Sequence, residues 1–193
     1  MEFKIENTQV YGLENAIRAS GNPMRTAITS PEEELTAKDF KRAEKLANTG
    51  LGEGHDNYLN GIIVQFDLHA PLYMWKQIQR YHWMDFISSQ STMHCITKFN
   101  LMEQCNDFVW PQTIRRLKIL LKKYEENKDK KNWKEIISNV PCGFILGASM
   151  TTNYRQLKCI YSQRKNHRLD EWKEFCRWVE TLPHSEFITG VKK

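Results

Sequence analysis

The chain reads as an α/β protein of the α+β kind, a small mixed or antiparallel sheet flanked by several helices. Three observations give that reading. Phe3 to Gly12 and Ile62 to Leu68 alternate or are β-branched, as strands are. Several later stretches carry apolar residues at helical spacing, and no internal repeat or low-complexity region interrupts the series.

The elements follow in order. Phe3 to Gly12 alternates apolar and polar residues, and Leu13 to Ser20 is a short helix that Gly21-Asn22-Pro23 ends. Ser30 as a cap, Pro31 at the first helical position and Glu32, Glu33 and Glu34 in the first turn predict a helix running to Ala47. Asn48-Thr49-Gly50 stops it. Ile62 to Leu68 is a strand bounded by Gly61 and Pro71. Beyond it Leu72, Trp75, Ile78 and Gln79 keep helical spacing, on a helix expected to carry Lys76, Gln77, Arg80 and His82. Ser88 to Thr92 is a run of small polar residues that reads as a loop able to present hydroxyls and backbone N–H groups.

In the second half, Asn106 to Glu126 is an amphipathic helix with Ile114, Leu117, Leu120, Leu121 and Tyr124 on one face, broken at Asn127 to Lys131. Trp133 to Val140 is a short helix ended by Pro141, and Gly143 to Met150 is strand or extended chain. Helical spacing returns from Thr151 to Arg164 and again from Asp170 to Leu182, the last anchored by Trp172, Phe175, Cys176 and Val179.

At 193 residues the chain fits one domain, residues 1–193, large enough to bury a core without staples. Apolar residues make up 40% and charged ones 26%, and no apolar run approaches a membrane span, so a soluble protein is expected. The N-terminus shows no secretory pattern, and Cys95, Cys105, Cys142, Cys159 and Cys176 form no close pair, which implies a reducing, cytoplasmic setting. A net charge of +5 is spread among acids, with the densest basic stretches at Arg115 to Lys123 and Lys128 to Lys134, so nucleic acid is not a required partner. The six histidines show neither HExxH nor Cys-His pairing, and no metal site is expected.

Two stretches concentrate the polar chemistry, Gly54 to His94 and Thr152 to Arg164. Arg155 and Cys159 share a helix face at i and i+4, and Arg164 stands near the helix end. Its guanidinium either forks onto a carbonyl pair or a phosphate, or complements the helix dipole.

These residues resemble the flavin-dependent thymidylate synthases. The likeness starts at Gly54-His55 and runs through Ala70-Pro71 to Lys76-Gln77 and Arg80. It resumes at Val140-Pro141, Thr152-Asn153, Arg155 and Arg164, nine residues further on. Departures are concentrated in the family's central motif, Arg-His-Arg followed by Ser, Asn-Glu, Ser and Arg. Here it reads Arg80-Tyr81-His82, then Ser88-Ser89, Ser91 and, in the final Arg place, Met93. Asn60 and Gly61 replace further polar family residues, and Cys159 stands where the family has His or Asn.

The resemblance implies a homotetramer with flavin sites between subunits, converting dUMP to dTMP. Methylenetetrahydrofolate would be the carbon donor and NADPH the reductant of FAD. Carried over by position, it places His55, Asn57, Arg80, Tyr81, His82, Asn153, Arg155 and Cys159 along FAD. Gln77, Ser89, Ser91, Met93 and Arg164 fall at the nucleotide, with Arg164 the group acting on the pyrimidine. The same fold acting on another pyrimidine nucleotide, or a non-catalytic nucleotide- or nucleic-acid-binding descendant, are the alternatives.

Overall fold

The structure, a computed structural model, describes residues 2–28, 30–50 and 52–190. Met1 and residues 191–193, the two ends of the domain expected over 1–193, lie outside them. In chain order the elements are β1 (Lys4–Tyr11), α1 (Leu13–Ala19), α2 (Ala37–Ala47), β2 (Ile63–Pro71), α3 (Leu72–Ile78), β3 (Asp85–Ser89) and α4 (Thr92–Cys95). There follow α5 (Leu101–Gln104), α6 (Pro111–Glu126), α7 (Lys130–Ser138), β4 (Ile145–Asn153), α8 (Tyr154–Arg164), α9 (Asp170–Glu180) and α10 (Glu186–Thr189). The strands form one four-stranded antiparallel sheet in the order β1-β2-β4-β3, as expected of the α+β class.

The chain divides into two compact units. Among the described residues the first comprises 2–6, 67–80 and 86–149; the second, 7–28, 30–50, 52–66, 81–85 and 150–190. In the first, the Leu72 N–H donates to the Phe144 carbonyl (3.0 Å) while Ser149 bonds Asp67, so β2 and β4 run in opposite directions at one register. The core of this unit gathers Ile96, Leu101, Ile114, Leu117, Ile136 and Phe144, with α6 packed on α7 and on α5. The apolar stripe of α6 is the one its spacing predicts, since Ile114, Leu117 and Leu120 are its buried residues.

In the second unit α8 packs against α9, α10 and the 3₁₀ turn Asn57–Gly61, over a core that includes Ile17, Leu59, Phe66, Tyr154, Trp172 and Phe175. The Phe66 ring packs against that of Trp178 at 4.5 Å, tilted by 45°, and the Tyr154 N–H closes on the Ile62 carbonyl at 3.0 Å. Along β2 burial alternates, with Val64, Phe66, Leu68 and Ala70 buried and Ile63, Gln65, Asp67 and His69 half-buried.

Four sequence expectations are corrected. The helix expected from Ser30-Pro31 begins instead at Ala37. Thr36 and Asp39 form a reciprocal capping box there, in which the Thr36 N–H donates to Asp39 Oδ2 at 2.9 Å. Ser30 Oγ does no more than accept the Glu32 N–H at 3.3 Å, closing a turn. The helix after Pro71 ends at Ile78, so Arg80 and His82 lie in the turn beyond it, where Trp83 takes a positive φ of 59°. Ser88 and Ser89 belong to an edge strand and not to a loop; Phe86 and Ile87 before them supply the β-propensity. Finally, Thr151 to Asn153 close β4, and α8 starts only at Tyr154.

Three donors hold Asp39 in place, the Thr36 hydroxyl, the Thr36 N–H and the Arg42 guanidinium (2.8 Å), and together they keep its carboxyl well below the usual carboxylate range. Asp39→Asn is therefore expected to cost about 1 kcal/mol at pH 7. Because the folded-state pKa is depressed, that contribution is complete above the unfolded value near 4 and drains away as pH falls below it. Urea melts of wild type and variant should differ at pH 7 and converge in acid; a gap that persists in acid would refute the electrostatic origin.

Candidate functional site

The second unit brings together residues from both stretches that concentrate the polar chemistry. Arg164, at the last turn of α8, donates from Nε to the Tyr81 hydroxyl at 2.7 Å across 83 residues of sequence. The Tyr81 hydroxyl in turn donates to Gln163 Oε1 at 3.0 Å, so one phenol joins two neighbouring side chains of the helix end. The guanidinium carbon lies 4.6 Å from the centre of the buried Trp172 ring and 5.5 Å from that of Tyr81, with the two rings edge to face at 6.0 Å. A planar cation is thereby fixed by an oxygen at Nε and by two aromatic faces, with little rotamer freedom left.

His167 completes this surrounding. Its Nδ1 accepts the Leu169 N–H at 3.1 Å, which puts the remaining proton on Nε2, and the ring sits edge-on to Trp172. Burial, then Arg164 and Arg168, push its pKa below the ordinary value. It stays neutral at pH 7, so it does not repel the guanidinium beside it.

The start of α8 is fixed by a second set of groups. Asp56, 1% exposed at its side chain, takes Lys158 Nζ at 2.7 Å on one oxygen and Arg155 Nε at 3.3 Å on the other. Lys158 also donates to the Thr49 carbonyl at 3.0 Å. The Asn153 side-chain oxygen accepts the Gln156 N–H at 2.8 Å as the helix cap, which leaves its amide N–H₂ as the group able to serve a ligand. Cys159 is half-buried, its sulfur accepting from the Gln163 amide at 3.3 Å. His55 and Asn57 are exposed on either side of Asp56, and His82 is exposed next to Tyr81.

The remaining expected residues belong to the first unit, apart from those above. Arg80 is exposed just past α3, and Gln77 is half-buried on it. Ser89 ends β3, Ser91 precedes α4 as its cap residue, and Met93 is 52% exposed within α4. Tyr81 and Arg164 are thus brought into contact, and Arg155 is tied to a carboxylate. Among the described residues no group of three or more His, Cys, Asp or Glu side chains is arranged to hold a metal ion, and no helix is long and apolar enough to cross a membrane.

Sequence reasoning missed Asp56, Lys158 and Gln163. Asp56 stood inside the Gly54-His55-Asp56-Asn57 run, and Arg155 and Lys158 are three residues apart on one helix face, the spacing by which two cations meet one acid. It also missed the polar row on the half-buried face of β2, where Ser149 donates to Asp67 at 2.5 Å and His69 Nε2 meets Glu6 at 3.1 Å.

No protein-family model matches the chain, and no curated protein matches it by sequence. Solved structures do. The flavin-dependent thymidylate synthase ThyX of Helicobacter pylori, complexed with FAD and dUMP, superposes with a TM-score of 0.73 at 16% identity, over 98% of this chain and 97% of that one. A second structure of that enzyme with FAD and dUMP gives 0.75 at 14% identity, over 97% of both chains. The UMP/dUMP methylase PolB of Streptomyces cacaoi, bound with 5-Br dUMP, gives 0.66 at 13% identity, over 97% of this chain and 95% of that one. The chain has the flavin-dependent thymidylate synthase fold. Coverage of nearly the whole of both partners means that the ThyX-like fold, and not a fragment of it, is shared.

Two substitutions probe this geometry. Tyr81→Phe removes the acceptor of the Arg164 Nε–H and is expected to lower stability by about 1 kcal/mol, read as a small drop in Tm. Asp56→Ala strands two cations, one of them nearly buried, and is expected to cost about 3 kcal/mol in urea unfolding. A neutral result for Asp56→Ala would show that the carboxylate does not hold α8.

Proposed function

We propose that the chain is a flavin-dependent methylase of a pyrimidine deoxynucleotide, dUMP to dTMP in the first instance, with residues 1–193 acting as one ThyX-like domain. The observation that carries the reading is the contact of Arg164 with Tyr81. It joins the two separated stretches on which the sequence resemblance rests, inside a fold shared with enzymes whose structures hold FAD and dUMP.

The donor set fits a phosphate-bearing, ring-bearing cofactor. His55, Asn57 and His82 are exposed, the Asn153 amide N–H₂ is left over from its cap, and Arg80 is exposed as well. In this reading these residues hold FAD together with Tyr81, Arg155 and Cys159. When bound, the reduced flavin supplies hydride, with NADPH as its reductant and methylenetetrahydrofolate as the carbon donor. Arg164 offers a charged donor to a pyrimidine carbonyl and stabilises the negative charge that builds as carbon five becomes nucleophilic. Trp172 and Tyr81 hold that charge in position, so little reorganisation is needed at the moment of reaction. Gln77, Ser89 and Ser91 supply amide and hydroxyl groups to the nucleotide.

A homotetrameric, cytoplasmic enzyme belongs to the same reading. The support for the assembly is the edge strand β3, whose Phe86 and Ile87 are 43% and 53% exposed, an apolar edge that a further chain would cover. A second reading changes the pyrimidine nucleotide. It is favoured by Ser89 and Met93 in places where the resembling family has Glu and Arg, and by the PolB match, an enzyme that methylates UMP as well as dUMP.

The purified protein is expected to be yellow or to take up added FAD, and to release tritium from carbon five of dUMP when supplied with methylenetetrahydrofolate and NADPH. Arg164→Ala should abolish turnover while flavin is retained. A colourless protein that refuses FAD sinks the reading, and release from UMP or dCMP in preference to dUMP selects the second one.

A further inference from the structure

Phe108 and Trp110 are the two most exposed large apolar side chains of the first unit, at 89% and 75%, and the loop that bears them is fixed. Val109 between them packs on the core of that unit. Its N–H donates to the Asn106 carbonyl at 3.1 Å, and the Asn106 N–H donates to the Gly143 carbonyl at 3.0 Å. An anchored backbone thus holds two rings out in water, against the hydrophobic cost of leaving them there. Pro111 then starts α6, whose buried stripe leaves an outward face carrying Arg115, Arg116 and Lys118. From Phe108 to Tyr124 the chain has five bases and no acid. We propose that Phe108, Trp110 and the outward face of α6 form a binding surface for single-stranded nucleic acid, with bases stacked on the rings and phosphates along the cations. The surface belongs wholly to the first unit and is independent of the reaction proposed above.

The cations are not matched by acids. Arg115, Arg116 and Lys118 enter no ion pair among the described residues and have no acid three or four residues away in either direction. Lys123 is paired with Glu135 at 2.8 Å, and Lys122 has Glu125 and Glu126 three and four residues on, so these two are left out of the surface. Glu135 acts on Arg116 electrostatically but forms no ion pair with it. Arg115 and Lys118 stand at i and i+3 and repel each other along one face. That arrangement weakens the helix, and a polyanion laid across it removes the repulsion.

Charge alone makes nucleic acid an optional partner; the exposed rings supply what charge lacks. A helix lying on a membrane needs an apolar face along its length, whereas α6 buries its own in the core and shows only Ile119 outward. A second copy docked by the same face about a twofold axis would set like charges against one another. An unpaired base offers its face to an exposed ring, and its phosphate takes a guanidinium as a fork. In a duplex the base faces are already stacked on each other, so the rings have nothing to receive. DNA and RNA strands share the features used and are expected to bind alike.

The test is fluorescence anisotropy of the full-length protein with a labelled oligothymidylate, alone and annealed to its complement, alongside Tm. Three cations on phosphates predict a log–log salt slope of about −2, so that affinity falls roughly 20-fold between about 50 and 200 mM salt. Phe108→Ala/Trp110→Ala should weaken binding about tenfold or more at an unchanged slope, and Trp110→Tyr should keep most of it. Arg115→Gln/Lys118→Gln should weaken binding and flatten the slope by about 1.4, with Tm equal or higher because a repulsion is removed. No binding at the lower salt overturns the proposal, as do equal affinity for the duplex and binding that neither double variant weakens. Displacement of the oligomer by dUMP overturns it by placing the strand in the nucleotide site. Phosphatidylserine vesicles that bind through these side chains in place of the oligomer, or a dimer that the aromatic variant dissolves and the oligomer does not, overturn it as well.

Discussion

A carboxylate taken out of water is the constraint on which the second unit depends. Asp56 is almost fully buried, and an unpaired carboxylate there would be untenable, so Lys158 and Arg155 must stay beside it. Both cations belong to the first turns of α8, and that requirement fixes the helix against the 54–57 stretch. An α-helix is a stiff rod that rises about 1.5 Å per residue, so fixing its start also fixes its far end, roughly 15 Å away. Arg164 stands at that end, where Tyr81 and Trp172 receive it. The buried acid and the proposed substrate arginine are thus two ends of one lever. The acid bears on function only through the position it imposes.

Much of the fold was legible because burial imposes periods. The alternation in β2 and the stripe on α6 both appear where the sequence sets them. What was not legible turned on competition between local signals. Ser30-Pro31 and three glutamates make a good helix start, but Thr36 with Asp39 satisfies two backbone donors reciprocally and wins. Ser88 and Ser89 look like a loop until Phe86 and Ile87 are counted with them as an edge strand that is exposed on both sides. For the site, the residues of α8 could be placed on one helix, but the meeting of Tyr81 with Arg164 could not be foreseen. A contact across 83 residues has no local period, and it exists only because the fold returns the chain to itself.

Tyr81, standing where the resembling family carries a motif histidine, bears on how a fold can outlast its sequence. An imidazole and a phenol share little chemistry, but each offers a flat ring and a polar atom at its rim, and the surrounding packing asks for no more than that. At 13–16% identity the sheet and helices are retained because their apolar periods tolerate exchange within the core. Polar positions drift under a different rule, since each change must be answered by another group able to donate or accept at the same place. Here Tyr81 takes the Arg164 Nε–H, and that bond joins the two stretches of sequence on which the resemblance rests.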